Sequence, residues 1–122
     1  MGYSSFEDLE VWQRACRLAV RVYEVLKNCK DFGLKDQMTR AAVSIASNIA
    51  EGAERDTATE FMRFLHIAKG SAAELRTQVY IASKINVIQE PIQKELSIEL
   101  KNLSSMLHGL IKSLKLKTKE SL

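Results

Sequence analysis

Four long segments of this chain repeat apolar residues every three to four positions, and its single proline, Pro91, falls at the start of the last of them. The alternating apolar and polar pattern of strands is absent. These two facts confine the chain to an all-α fold. The spacing predicts helices over about 6–28, 34–53, 57–85 and 91–114, followed by a lysine-rich tail, 115–122. Ser5 with Asp8 three residues on suggests the first cap, and Thr57-Ala58-Thr59-Glu60 reads as a capping box. Pro91 suits a first helical turn. The connections are short, so successive helices should be antiparallel neighbours. The expectation is an up-down-up-down four-helix bundle with left-handed packing, in one domain spanning 1–122.

The seams support this. Helix three offers Phe61, Leu65, Ala68, Ala72, Leu75, Val79 and Ala82, and helix four offers Ile92, Leu96, Leu100, Leu103, Leu107, Leu110 and Leu114. Helix two offers Met38, Ala42, Ile45 and Ile49 beside a small face of Ala46, Ala50 and Ala53, which lets a neighbouring backbone approach closely. Helix one carries two seams: Leu9, Trp12, Cys16, Ala19, Tyr23 and Leu26, and Val11, Ala15, Leu18, Val22, Val25 and Cys29. A surface helix needs one stripe. Either helix one is unusually buried within its own subunit, or the second seam, through Val11, Leu18, Val22 and Val25, packs against another copy of the chain. The second alternative makes the protein an obligate oligomer.

A chain of 122 residues can bury a real core without staples. Cys16 and Cys29 lack metal spacing, fall in one expected helix and are too far apart to bond each other; a reduced, cytoplasmic setting is the simplest reading. No basic-then-apolar leader pattern and no long apolar run occurs, so secretion and membrane spanning are not expected.

Catalytic chemistry is not apparent. His66 and His108 lie on different helices without metal-motif spacing, no Glu-x-x-His occurs, and Gly70 and Gly109 are isolated within helices. No catalytic residue, metal ligand or cofactor is assigned, and an enzyme is not expected.

The charge is more informative. The net formal charge is only +3, too small to announce nucleic-acid binding. Helix one nevertheless carries Arg14, Arg17 and Arg21 on one stripe, which could track a phosphate backbone. Glu10 and Glu24 stand at pairing distance in sequence from Arg14 and Arg21, which would make the stripe a solvated, ion-paired face instead. Arg40, Arg55, Lys112, Lys115, Lys117 and Lys119 complete the candidate set. The lysine-rich end ordinarily reads as a frayed, solvated tail.

One segment stands apart: Val43-Ser-Ile-Ala-Ser-Asn-Ile-Ala-Glu-Gly52. Ser44, Ser47, Asn48 and Glu51 are poor choices for helix propensity alone, while Gly52 can stop a helix. Asn48 and Glu51 share one helical face, as do Ser71 and Glu74. Antiparallel helices two and three could bring the pairs together as a buried polar network, with Arg40 or Arg55 supplying charge.

With its flanks, this segment resembles a known family, the small bacterial four-helix bundle proteins encoded within intervening sequences of 23S ribosomal RNA genes. The resemblance runs through Phe6-Glu7-Asp8-Leu9-Glu10-Val11-Trp12, Tyr23, Phe32-Gly33-Leu34, Gln37, Arg40-Ala41-Ala42, Val43 to Gly52 and Arg55. It continues through Glu60-Phe61, Phe64-Leu65, Ala68, Ser71 and Glu74-Leu75, while helix four matches only in character. The family commonly has proline where this chain has Ala46, so helix two should be straighter here. The resemblance implies a ring-shaped homopentamer. The chain also looks like the accessory bundle proteins of diversity-generating retroelements, similar pentamers thought to bind nucleic acid. Two functions are therefore expected as alternatives: an oligomeric RNA- or DNA-binding protein, or a ring that docks a protein such as a polymerase or ribosome-associated factor. Arginines satisfied by Glu10 and Glu24 would favour the second.

Overall fold

A computed structural model describes residues 5–121, with side chains described as far as Lys119. The ends of the expected domain, 1–4 and 122, lie outside the described residues. A single 3-10 turn, η1 (Phe6–Asp8), leads into α1 (Glu10–Val25), α2 (Phe32–Ala53), α3 (Ala58–Lys84) and α4 (Glu90–Ser121). Cross-helix pairs give relative directions. Arg14 and Arg21 of α1 meet Glu99 and Glu95 of α4 in descending order. Ser44 and Gly52 of α2 approach Ser71 and Phe64 of α3 in the same opposed sense. In both pairs the helices run antiparallel.

Helix one departs from its expected span of 6–28. Leu9 is extended, with φ −75° and ψ 123°, and separates η1 from α1. Ser5 caps η1, accepting from the Glu7 amide at 3.0 Å. Cys29 therefore lies beyond α1, in the turn that delivers Asp31. Asp31 in turn starts α2 two residues earlier than expected by accepting from the Leu34 amide at 3.1 Å. The Thr57 hydroxyl accepts from Glu60 N as expected, but the Glu60 carboxylate turns to Arg63. α2 passes through the buried Ala46 as one continuous α-helix.

The expected tail from Lys115 is not a frayed end: α4 stays helical to Ser121. The sequence from Lys115 to Glu120 contains no glycine or proline and is mostly good helix formers. Ile111 is buried and Leu114 half-buried, which anchors the helix just before this stretch.

The core is one cluster drawn from all four helices. Val22, Leu26, Met38, Ile45, Ile49, Leu65, Leu75, Val79, Leu96, Leu100, Leu103 and Leu107 are essentially inaccessible. This burial overturns the expected oligomer seam. Val11, Leu18 and Val22 are buried inside the chain itself, and Val25 is half-buried against the same core. The physical reason is geometric: a bundle helix faces two neighbours and the centre between them, so two seams about 100° apart can both be covered within one subunit. The large apolar side chains that α1 leaves exposed are Val20 and Tyr23.

Candidate nucleic-acid interface

Two of the three helix-one arginines, Arg14 and Arg21, are paired, mainly by α4 rather than by their own helix. Arg14 donates from Nε and Nη2 to the two carboxylate oxygens of Glu99, at 3.0 and 2.6 Å, and Arg21 does the same to Glu95 at 2.7 and 2.9 Å. The anticipated partners, Glu10 and Glu24, stand farther off at 4.0 and 3.8 Å. Such two-pronged bonds fix geometry. Hydrogen bonding to Glu99 raises the Arg14 pKa above its ordinary value, and hydrogen bonding from Arg21 lowers that of Glu95. The two pairs stitch α1 to α4, so Arg14 and Arg21 are not free to meet a polyanion. Arg17, exposed between them, has no ion-pair partner among the described residues.

The other candidates divide similarly. Arg40 is exposed and paired with Asp36 on its own helix at 2.8 Å. Arg55 lies over the Phe64 ring, 4.7 Å from its centroid, and Arg63 lies over the same ring at 4.6 Å. Lys112, Lys115, Lys117 and Lys119 are exposed along the last turns of α4.

Pairing of the α4 carboxylates with α1 has a consequence on the opposite side of α4. From Ala58 to Ser121 the chain has ten lysines and arginines against six acidic residues. Glu95 and Glu99 turn to α1, Glu60 to Arg63 and Glu90 to Lys94. Glu74 meets Gln78, at 3.5 Å. The groove between α3 and α4, of about 550 Å³, is then lined by Arg76 and Lys101 with Ala73, Thr77, Tyr80, Gln93 and Ser97, and by no carboxylate. Lys69 lies seven residues before Arg76, and His108 seven after Lys101, so helical spacing extends the basic stripe in both directions. None of Lys69, Arg76 and Lys101 was a candidate from sequence. Their shared signal was heptad spacing across two helices, which becomes legible only once the helices are known to be neighbours.

The polar network keeps Asn48 and Ser71 of the expected set, but its centre is Ser44, and Glu51 and Glu74 are outside it. Ser44 and Ser71 meet Oγ to Oγ at 2.9 Å, and Asn48 Nδ2 donates to Ser44 Oγ and to the Ser44 carbonyl, at 2.9 and 2.8 Å. Glu51 is exposed and takes no part; Glu74 is exposed and bonded within α3. The reason is solvation: a carboxylate at this rim keeps its water, whereas small hydroxyls can be buried in mutual hydrogen bonds. Neither Arg40 nor Arg55 joins the network.

The family model of the 23S rRNA-intervening sequence proteins matches residues 7–109. The chain belongs to that family. The match reaches well into α4, beyond the stretch that the motifs alone carry. Among solved structures, a protein of unknown function from the S23 ribosomal protein family of Bacteroides thetaiotaomicron is similar, with a TM-score of 0.79 at 24% identity. The similarity covers 84% of this chain and 98% of that one, and it speaks to the fold. No curated protein matches the chain. Among the described residues of this 23S rRNA-intervening sequence protein, no helix is long and apolar enough to cross a membrane. Among the described residues no group of three or more His, Cys, Asp or Glu could hold a metal ion.

Proposed function

We propose that this protein is a non-enzymatic, oligomeric bundle of the cytoplasm that binds the phosphates of RNA or DNA through unpaired surface cations. The observation that carries the reading is the segregation of charge on α4. Glu99 and Glu95 turn to Arg14 and Arg21 on α1, and the α3/α4 face is left with Lys69, Arg76 and Lys101 and no acid lining the groove. Arg17 and the α4 lysines Lys112, Lys115 and Lys119 add to the field, whereas Arg14, Arg21 and Arg40 drop out of the contact set. A ring-shaped homopentamer, which the family resemblance implies, would repeat the face by symmetry and multiply a modest +3 per chain. Assembly would draw on apolar side chains that the single chain leaves exposed, such as Val43, Ile67, Ile81 and Ile85, rather than on the buried helix-one seam.

A second reading has its own support. The paired helix-one arginines, with Val20, Tyr23 and Ile98 exposed nearby on α1 and α4, suit a scaffold that docks a protein on that side. Light scattering followed by RNA and DNA binding at two salt concentrations separates the two. Salt-sensitive binding that weakens in Arg76→Ala and Lys101→Ala supports the nucleic-acid reading. An oligomer without salt-sensitive binding supports the scaffold, and a monomer defeats the assembly argument.

A further inference from the structure

The α3/α4 groove holds chemistry that phosphate binding alone does not require. Arg76 and Tyr80 are four apart on α3, and Gln93, Ser97 and Lys101 are successively four apart on α4. Each set therefore forms a rail on one helix face. Tyr80 stands 56% exposed beside these polar groups. Tyr80 thus offers an accessible aromatic ring within the basic groove. The Lys84 ammonium lies 5.3 Å from the Tyr80 ring centroid, a contact typical of an accessible π-face. Lys84 is itself exposed and carries its charge on a long stem of rotatable bonds, so it can yield that face to a planar partner. Gln93 Nε2 donates to Ser97 Oγ at 3.3 Å, which steadies the amide and leaves its carbonyl oxygen and second N–H for a ligand. Arg76 and Lys101 have no ion-pair partner among the described residues.

Resting on the nucleic-acid reading above, we propose that this groove holds an unpaired nucleotide of a single-stranded segment. The base stacks on Tyr80 and bonds its edge to the Gln93 amide, and the flanking phosphates lie on Arg76 and Lys101. An aromatic ring recognises a base only when that base is out of the duplex stack. A continuous duplex would meet only the cations. The ligand class is thus a single strand, a loop or a bulge, with little dependence on base identity, because every base presents a π-face.

The test is fluorescence anisotropy of the full chain with labelled single-stranded RNA, single-stranded DNA and a duplex of the same length, at two salt concentrations. Tyr80→Ala is expected to weaken single-strand binding about tenfold, with duplex binding unchanged and Tyr80→Phe close to the parent. Arg76→Ala and Lys101→Ala are expected to weaken single strands and duplex alike and to lower the salt slope by about one each. Circular dichroism of each variant establishes that it folds. If Tyr80→Ala leaves single-strand binding intact, or weakens duplex equally, while the cation variants still lose affinity, the stacking inference is overturned and the phosphate reading stands. If the parent binds no nucleic acid in a salt-sensitive way, both fall.

Discussion

The Ser44 and Ser71 hydroxyls meet at 2.9 Å across the α2/α3 interface, and the Asn48 amide closes on Ser44 from one turn along α2. Ser44 is the hub: it accepts from Asn48 and shares a hydrogen bond with Ser71, which is buried. Ser44→Ala takes the partner from the buried Ser71 hydroxyl and one of two bonds from Asn48, which keeps the Ser44 carbonyl, whereas Ser71→Ala leaves Ser44 still bonded to Asn48. Ser71→Ala is expected to cost about 1 kcal/mol, and Ser44→Ala more, up to about 3 kcal/mol. Glu51→Ala, three residues beyond Asn48 but exposed, should stay within about 0.5 kcal/mol of the parent. Urea unfolding of the three variants checks the order; equal costs for Ser44→Ala and Glu51→Ala would dismantle the network assignment.

Gly52 tests the other end of the same signature. Its backbone φ is not positive, and α2 runs on to Ala53, so the residue is not a left-handed helix stop. It is needed because α3 is too close for a side chain. A Cβ at Gly52 would stand 2.7 Å from Phe64 Cβ, 3.0 Å from Phe61 Cδ1 and 3.2 Å from the Phe61 carbonyl oxygen. Gly52→Ala gains helix propensity worth about 1 kcal/mol but must push the two helices apart. Overpacking of this kind costs about 1–3 kcal/mol, and the short contact to Phe64 Cβ, a rigidly placed atom, puts the cost at the upper end. A lowered Tm is therefore expected. Gly70→Ala, where a Cβ meets nothing within 4 Å, should raise Tm, and a rise in both would mean that α2 and α3 are not held this closely.

The contrast between these sites shows what was legible beforehand. The heptad-like spacing of Leu96, Leu100, Leu103 and Leu107 requires only that one face of a helix be buried, and all four are. The two seams of α1 were equally visible, but spacing cannot say whether a seam meets a neighbour in the same chain or in another. Val11, Leu18 and Val22 fit either neighbour by spacing, and only the fold places them inside the chain. Pairing fails in a similar way. Arg14 had a local carboxylate at Glu10, yet Glu99, distant in sequence, offers both oxygens to one guanidinium and wins the contact. Once Glu95 and Glu99 are drawn to α1, the basic α3/α4 groove follows, and that step is invisible without the fold.

Asn86 supports the turn between α3 and α4. It has φ 64°, and it is the one non-glycine residue with positive φ among those described. Its amide bonds back to Ser83 O at 3.1 Å and the next amide, Val87 N, reaches Ala82 O at 2.8 Å. This double closure is a Schellman motif, which satisfies the last carbonyls of α3 and needs a left-handed residue at this point. Asparagine tolerates that conformation better than other side chains. Asn86→Gly should be neutral or stabilising, and Asn86→Ala should cost about 1 kcal/mol. Thermal melts of the pair decide it; a more stable Asn86→Ala would show that the turn is closed in another way.

The Arg21–Glu95 pair predicts a pH dependence of definite sign. Hydrogen bonding from Arg21 holds the Glu95 carboxyl below its ordinary value of 4.5, and Arg63 does the same for Glu60. A carboxyl with a depressed pKa in the folded state binds fewer protons there than in the unfolded chain as pH falls past its ordinary value. Its contribution to stability is therefore fully present above that value and is lost as pH drops through the lower, folded one. Tm should be nearly flat from neutral pH down to about 5.5 and should decline below about 4.5. Glu95→Gln should reduce the acid-side decline while slightly lowering stability at neutral pH, because it removes the charge that Arg21 holds. Arg21→Gln should reduce the decline by the same amount, and the double variant no further, since the two groups form one interaction. An acid decline as steep in Glu95→Gln as in the parent would mean that the α1/α4 stitch contributes nothing to the pH response.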